Sequence, residues 1–312
     1  MTLAPPEAAA PARARVPRRR TPAIRRHRWF VPLAFVAPAL VVQGVFLFLP
    51  LINTFVLAFT DASTVGGGTF TGLDNISRLA SDGAFWAAVG RTFVYMAVTV
   101  PVITVVSVSV AILVNTSVRG AGIVRPILFS PMVMPMAVVA VVFQYVLSSQ
   151  GLANQILQGL RITAEPVPFL NDSDLALFSL MAVTIWKGCA LYTLILLAAL
   201  QNVSRDLDEA AQLDGASWPR RTFSVTLPQI RGTTTLVSIL AAIATLRVFT
   251  EPFVITGGGP GKATETIVLY LYQRGISPGT DAGYASAVSL VLFVFVLAVS
   301  GISWLISRRN RI

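Results

Sequence analysis

Long apolar windows bounded by charged residues dominate the pattern of hydrophobic and polar positions in this chain. A helix needs about 20 apolar residues to cross the hydrocarbon core of a bilayer, which is about 30 Å thick. Windows of this kind predict membrane spans at about residues 30–59, 92–115, 125–147, 175–200, 233–256 and 284–307. We therefore expect an all-α integral membrane protein with six transmembrane helices.

The composition indicates that lipid, rather than water, surrounds most of the chain. Hydrophobic residues make up 54% of the sequence and charged residues only 12%, against about 25% charged residues in soluble domains. The first 28 residues are rich in arginine and proline, and we expect a disordered basic cytoplasmic tail there. Residues 29–312 form the predicted transmembrane domain. Its first window is about twice as long as the apolar core of a signal peptide, so we interpret it as a retained anchor.

Basic residues divide unevenly between the two sides of the predicted bundle. Of the 24 lysines and arginines, 17 lie before the first span, in the connections after the second and fourth spans, or at the chain end, and 5 lie on the other side. The positive-inside rule then predicts that both termini are cytoplasmic, which requires an even number of spans and agrees with six. This distribution also accounts for the net charge of +10 without a nucleic-acid partner, since lipid headgroups are the expected neighbours of the basic tail.

Side chains for catalysis or metal binding are scarce. The chain has one cysteine, Cys189, and one histidine, His27, so the sequence predicts no disulfide, metal cluster or catalytic residue. The glycine-rich segment 257–263 does not fit a phosphate-binding loop, because three residues rather than four separate Gly257 from Gly261 and Ala263 replaces the Ser or Thr. We predict that the protein is not an enzyme and binds no cofactor itself.

The connection between the fourth and fifth spans, residues 201–232, is long and is predicted to be cytoplasmic. Ser204 is a suitable N-cap for a short helix whose first turns are acidic. Gly215 permits a sharp turn, and Trp218 and Pro219 can begin a second helix, which should end or bend at Pro228. The sequence predicts a helix–turn–helix elbow, with an ordinary amphipathic segment at the membrane surface as the alternative.

The elbow carries a specific resemblance. It resembles the EAA loop of the inner-membrane permeases of binding-protein-dependent ABC importers, in the extended form of the maltose-type sugar permeases. The matching residues are Glu209, Ala210, Ala211, Asp214, Gly215, Ala216, Phe223, Leu227 and Pro228. Further matches extend from Phe70 to Pro260, so the resemblance covers most of the chain. Ser204 and Thr250 depart from the pattern, and only Thr250 bears on which substrate is carried.

The resemblance implies a MetI-like ABC importer permease fold in the bacterial inner membrane, forming half of a path for a mono- or oligosaccharide. It implies that Glu209, Ala210, Ala211, Asp214, Gly215, Leu227 and Pro228 couple the chain to an ATPase. The implied partners are a second homologous permease, two ATP-binding cassette subunits that hold ATP and Mg, and an extracytoplasmic substrate-binding protein or lipoprotein.

Charged residues within the predicted spans point to the translocation path, because a charge at the centre of a membrane helix costs about 2.5–3.5 kcal/mol or more. Arg247 and Glu251 are four residues apart and can form a structural ion pair or line the path. The candidate path residues lie in the spans on either side of the elbow: Thr184, Trp186, Lys187, Gly188, Tyr192, Thr245, Arg247, Phe249 and Glu251. Any one of these aromatic residues can instead face lipid.

Two other functions stay open from the residues alone. Glu251 is the one acid within a predicted span and can serve as the ion site of a secondary transporter driven by an ion gradient. An importer for glycerol phosphate or another polyol derivative is also possible, because Arg247 can meet a phosphate if Glu251 does not occupy it.

Overall fold

A computed structural model describes residues 30–115, 121–275 and 280–309 of the chain. The predicted basic tail, residues 1–28, lies outside this range. The chain divides into two compact units, Met1–Pro50 and Leu51–Ile312, and the site described below lies in the second unit. The described residues are helical, and their β-structure consists of isolated bridges.

The connections between the described helices differ in length, from the single residue Asp82 to residues 58–73. In order along the chain they are α1 (Phe30–Gln43), α2 (Leu49–Leu57), α3 (Asp74–Ser81), α4 (Gly83–Asn115), α5 (Ala121–Val133), α6 (Met136–Val146), α7 (Leu152–Gly159), α8 (Ser173–Gln201), α9 (Arg205–Leu213), α10 (Trp218–Arg221), α11 (Leu227–Leu246), α12 (Ile267–Gly275) and α13 (Ala282–Arg309). Of three π-helical segments, Gly44–Phe48 joins α1 to α2 and Thr222–Thr226 joins α10 to α11, while Pro252–Thr256 follows α11 after residues 247–251.

Five helical stretches are long and apolar enough to cross a membrane: Phe30–Leu57, Gly83–Asn115, Ser173–Gln201, Trp218–Leu246 and Ala282–Ile302. The third predicted span is instead a bent pair, Pro126–Val133 and Met136–Val146, whose axes differ by 107°. Pro135 explains this break, because a proline disfavours helical geometry at the preceding residue and cannot donate a backbone hydrogen bond. The bundle has six spans if the bent pair crosses once.

The centre of the second unit is the pair α4 and α8, which pack together along much of their length, with α11 against both. Ile103, Leu196, Leu200, Ile230 and Val237 form the apolar contact between these helices. A second cluster joins α4, α6 and α8 around Tyr95, and a third joins α3, α4, α12 and α13 around Phe85. The arrangement leaves one side of α8 facing α11 and the segment that follows it.

The fifth span differs from its predicted boundaries at both ends. The helix does not end at Pro228, because the chain passes from α10 through the segment Thr222–Thr226 into α11. In that segment the Leu227 N–H donates to the Thr222 carbonyl, five residues back, and this wider turn accommodates the proline ring. At the other end α11 stops at Leu246 rather than near residue 256.

Candidate translocation site

A cavity of about 280 Å³ lies between α4, α5, α6, α8, α11 and the segment that follows α11. Its wall combines apolar side chains, among them Ile103, Met136 and Leu191, with a small set of polar groups. Six of the nine predicted path residues line it: Thr184, Lys187, Gly188, Tyr192, Thr245 and Glu251. An apolar pocket with a few convergent polar groups is the usual form of a site for a small ligand.

Glu251 is the most buried charged residue of this cavity, with 7% of its surface exposed. The Thr184 hydroxyl donates to Glu251 Oε1 over 2.6 Å. A threonine hydroxyl has one hydrogen to donate, and that of Thr184 is donated to Glu251. The Tyr95 hydroxyl, 2.6 Å away, must therefore be the donor to the Thr184 oxygen. The three side chains form a directed chain from α4 through α8 to the segment after α11, which holds the carboxylate in place.

Lys187 lines the same cavity from the next turn of α8. The described ion pairs do not include one between Lys187 and Glu251. The cavity therefore presents a cationic donor and an anionic acceptor at separate points of its wall, and the Tyr192 side chain lines the same wall. This arrangement suits a ligand that can both donate and accept hydrogen bonds.

Gly188 has a steric role in the wall of the cavity. A Cβ at this position would lie 2.5 Å from the Ile103 side chain on α4. The glycine thus allows α4 and α8 to approach closely where the cavity begins, and Tyr192 on the following turn lies against the same space.

Three predicted path residues lie elsewhere. Trp186 contacts the Phe143 ring, with centroids 5.1 Å apart, and lines a different, apolar cavity. Arg247 is exposed at the C-terminal end of α11. Phe249 stacks on Phe253 with centroids 5.0 Å apart and also contacts Tyr272.

Arg247 and Glu251 do not form an ion pair in the part of the chain that the structure describes. The spacing of four residues predicts a shared face only within a continuous helix. Since α11 ends at Leu246, the two residues lie on either side of a break, and Glu251 is directed to Thr184 instead.

Tyr95 is a site residue that the sequence analysis did not select. It belongs to a buried row of α4 that contains Thr92, Tyr95, Thr99, Ile103 and Ser107. The spacing of three or four residues marks one helix face, and four of the five side chains are polar within an apolar window. Polar residues repeated on one face of an apolar helix are the sequence pattern that predicts a polar contact inside the bundle at this face.

The elbow, residues 204–228, is built as a capped helix and a sharp turn. The Ser204 hydroxyl accepts from the Asp206 N–H at the start of α9, as an N-cap does. At its end the Gly215 N–H donates to the Gln212 carbonyl and the Ala216 N–H donates to the Ala211 carbonyl, which is the Schellman motif. Gly215 has φ of +76°, a conformation that L side chains rarely adopt.

The predicted coupling residues surround this turn. Glu209, Ala210, Asp214, Gly215 and Pro228 are exposed, and Ala211 and Leu227 are half-buried. Leu213 is 90% exposed and Phe223 is 70% exposed. Large apolar side chains exposed next to polar ones are typical of surfaces that contact another protein.

Residues 68–312 of the sequence match the protein family "Binding-protein-dependent transport system inner membrane component". The chain belongs to this family. Among its relatives, the trehalose/maltose transport system permease protein MalF of Thermococcus litoralis is 35% identical over 278 residues, covering 88% of this chain and 93% of that protein. The lactose transport system permease protein LacF of Rhizobium radiobacter is 31% identical over 284 residues, covering 89% and 94%.

Solved structures share the fold of this permease. A chain of a bacterial ABC transporter that imports the acidic polysaccharide alginate gives a TM-score of 0.79 at 23% identity, covering 90% of this chain and 96% of its own. A chain of the MetNI methionine ABC transporter gives 0.52 at 17% identity, covering 74% and 99%. These likenesses confirm the predicted MetI-like permease fold. The family match together with the five or six apolar helices shows a multi-pass membrane protein.

Proposed function

We propose that this permease forms half of the translocation path of a sugar importer and that ATP hydrolysis in separate subunits drives it. The cavity that holds Lys187 and Glu251 carries the proposal for the path. The named substrates of the relatives, trehalose, maltose and lactose, are neutral sugars whose hydroxyls both donate and accept hydrogen bonds. An ammonium and a carboxylate on one apolar wall match that chemistry.

The geometry favours a neutral sugar over a phosphorylated polyol. Arg247, the residue that could meet a phosphate, is exposed beyond the end of α11 and does not line the cavity. The cation that does line it, Lys187, shares the wall with Glu251, so the formal charges of the two balance. A phosphate in this cavity would be attracted by Lys187 and repelled by the Glu251 carboxylate.

The elbow supports the proposal that another subunit supplies the energy. Its glycine turn exposes Glu209 and Leu213, which gives a partner both a charge and an apolar side chain to bind. The second helix of the elbow is continuous with α11, which contributes Ala241, Ala244 and Thr245 to the cavity wall. Displacement of the elbow can therefore move one wall of the cavity directly.

The remaining partners follow from this role. A second homologous permease completes the path, two ATP-binding cassette subunits bind ATP and Mg, and an extracytoplasmic binding protein or lipoprotein delivers the sugar. This chain needs no cofactor of its own for that role. We place it in a bacterial inner membrane with both termini and the elbow on the cytoplasmic side, as the arginine distribution predicts.

The test is uptake of radiolabelled trehalose, maltose and lactose by the complete complex in proteoliposomes, with ATP inside. We expect Glu251→Gln and Lys187→Met to lower uptake of the transported sugar by about tenfold or more, the scale of one lost charged hydrogen bond to a ligand. Trp186→Phe is the matched control, because Trp186 lies on α8 but outside the cavity. Equal uptake by all four proteins would exclude the cavity as the path.

The same assay separates the primary from the secondary transporter. An ATP-driven importer loses uptake without internal ATP and keeps it in the presence of a protonophore. Uptake that a protonophore abolishes and ATP depletion does not affect would instead indicate a secondary transporter, with Glu251 as its candidate ion site, and would overturn the proposed role of the elbow.

A further inference from the structure

The two arms of the elbow are joined by an ion pair as well as by the turn. Arg221 Nη1 on α10 lies 2.9 Å from Asp208 Oδ2 on α9. Gln212 Nε2, one turn further along α9, donates to the same Asp208 oxygen over 3.1 Å. A single carboxylate oxygen therefore connects α9 to the helix that continues through α11 to the cavity wall.

Arg221 is unusually buried for an arginine in a segment between spans, since only 16% of its side chain is exposed, against 47% for Asp208. The Nε of Arg221 is buried and has no hydrogen-bond partner among the residues that the structure describes. The guanidinium therefore depends on Asp208 for its charge compensation among the described residues, and removing the carboxylate would leave a largely buried charge unpaired.

The pair lies on the wall of a cavity of about 590 Å³, where the ends of α4 and α8 meet the elbow. Asn115 ends α4 and Gln201 ends α8, and both line this cavity together with Asp208 and Arg221. The space beneath α9 is thus open rather than packed. Among the residues that the structure describes, apolar contact with α4 and α8 does not fill this space, so α9 can tilt into it unless something else fixes its angle.

The backbone alone provides a weak joint between the arms. Asp214–Ser217 connect α9 to α10, and Gly215 is the residue with the greatest freedom in this turn. The Schellman hydrogen bonds fix the end of α9 but do not join it to α10. Among the described side chains, the bond between Asp208 and Arg221 crosses from one arm to the other.

We propose that Asp208 and Arg221 form a brace that makes α9 and the helix Trp218–Leu246 move as one body. A force applied to the exposed face of α9 then reaches the cavity wall without being lost as bending at Gly215. Asp208 and Arg221 are positioning residues in this proposal, because neither lines the translocation cavity. The consequence for transport rests on the proposed function, whereas the rigidity of the elbow does not.

The functional test compares Asp208→Asn, Arg221→Gln and the charge exchange Asp208→Arg/Arg221→Asp in the complete complex. We expect each single variant to lower the sugar taken up per ATP hydrolysed by about fivefold or more, the lower limit of typical coupling between sites. The charge exchange should restore the ratio of sugar taken up to ATP hydrolysed to most of its wild-type value. Arg220→Gln is the matched control, since Arg220 is the exposed neighbour of Arg221. The probes are radiolabelled trehalose, maltose and lactose.

A purely structural role for the pair predicts a different result. The single variants would then yield less assembled complex, with ATPase activity and uptake reduced in the same proportion and their ratio unchanged. That result, or failure of the charge exchange to restore the ratio while the complex assembles, would overturn the brace.

A second measurement tests the brace independently of the proposed function in sugar transport. Spin labels at Leu207→Cys on α9 and Leu236→Cys on α11, in a Cys189→Ser background, report the distance between the arms; both leucines are exposed. We expect one narrow distance distribution in the wild-type complex, a broad one in Arg221→Gln and a narrow one in the charge exchange. Equal widths in all three would refute the brace, whether or not the wild-type complex transports sugar.

Discussion

The hydrogen-bonded side chains Tyr95, Thr184 and Glu251 do not contribute equally to the stability of the protein. Thr184→Val removes a donor and an acceptor together and leaves a buried carboxylate without its partner, which costs about 1–3 kcal/mol or more. Tyr95→Phe removes only a donor to an oxygen that still bonds to Glu251, so we expect a loss of about 1 kcal/mol. Thermal unfolding in detergent should rank Thr184→Val as the less stable variant. The reverse order would contradict the direction of these hydrogen bonds.

The lowered pKa of Asp82, at the start of α4, predicts that the stability of the protein depends on pH. Burial raises the pKa of its carboxyl, but hydrogen bonds from Tyr270, Tyr284 and the backbone N–H groups of Phe85 and Ala84 outweigh burial and lower the pKa to about 2. The folded state therefore binds the proton less readily than the unfolded state, whose ordinary value is 3.8. The contribution of Asp82 is complete above that value and is lost as the pH falls toward 2.

We expect wild type to be more stable than Asp82→Asn by a constant margin between about pH 5 and 7, and by a shrinking margin below about pH 4. Melting temperatures in detergent across this range measure the margin. Asp74→Asn removes an exposed acid from the same surface and serves as the control. A margin that grows on acidification would show that the tyrosines stabilise the protonated carboxyl.

Gly215 determines whether α9 can turn into α10. A Cβ at this position meets nothing within 4 Å, so any cost of substitution comes from φ of +76° and not from a clash. We expect Gly215→Asn to retain most uptake, because asparagine tolerates the left-handed region, and Gly215→Val to lose much of it, at a backbone cost of about 1–2 kcal/mol or more. If Asn and Val reduce uptake equally, the side chain rather than the backbone angle matters.

The predicted elements were most accurate where apolar windows were uninterrupted, and least accurate where one charge or proline was used as a boundary. The second span was predicted to begin after Arg91, yet α4 begins at Gly83. Arg91 does not end the helix, because it donates to the Glu265 carbonyl and lies 3.8 Å from the Glu265 carboxylate. Such a long-range partner cannot be inferred from the local pattern.

Only some of the predicted path residues reach the cavity, because the three-dimensional course of the helices decides which side chains face it. Residues of α8 that are three or four apart, such as Thr184, Lys187 and Gly188, reached the cavity as their shared helical face requires. Trp186 is two residues from Thr184 and points to another side. For Arg247 and Phe249, the end of α11 changes the direction of the chain, and the sequence offers no capping glycine or proline at Leu246 to mark that end.

At the scale of the whole molecule, α11 fixes the relation between the elbow and the glycine-rich loop. Leu227–Leu246 contains 20 residues, so it spans about 30 Å, which is the thickness of the hydrocarbon core. Residues on the two sides of this helix, Leu213 and Lys262, should therefore face opposite compartments. The arginine distribution assigns the elbow to the cytoplasmic side.

Accessibility of single cysteines tests this topology. In a Cys189→Ser background, we expect Lys262→Cys to react with a membrane-impermeant maleimide in intact spheroplasts, because Lys262 is exposed and its loop is predicted to lie outside the membrane. Leu213→Cys should react only after the membrane is opened. In the assembled complex its reaction should also be slowed, since an ATPase subunit bound to the elbow would cover it. Labelling of Leu213→Cys from outside would place the elbow where no cytosolic ATPase could reach it, and the coupling role would have to be abandoned.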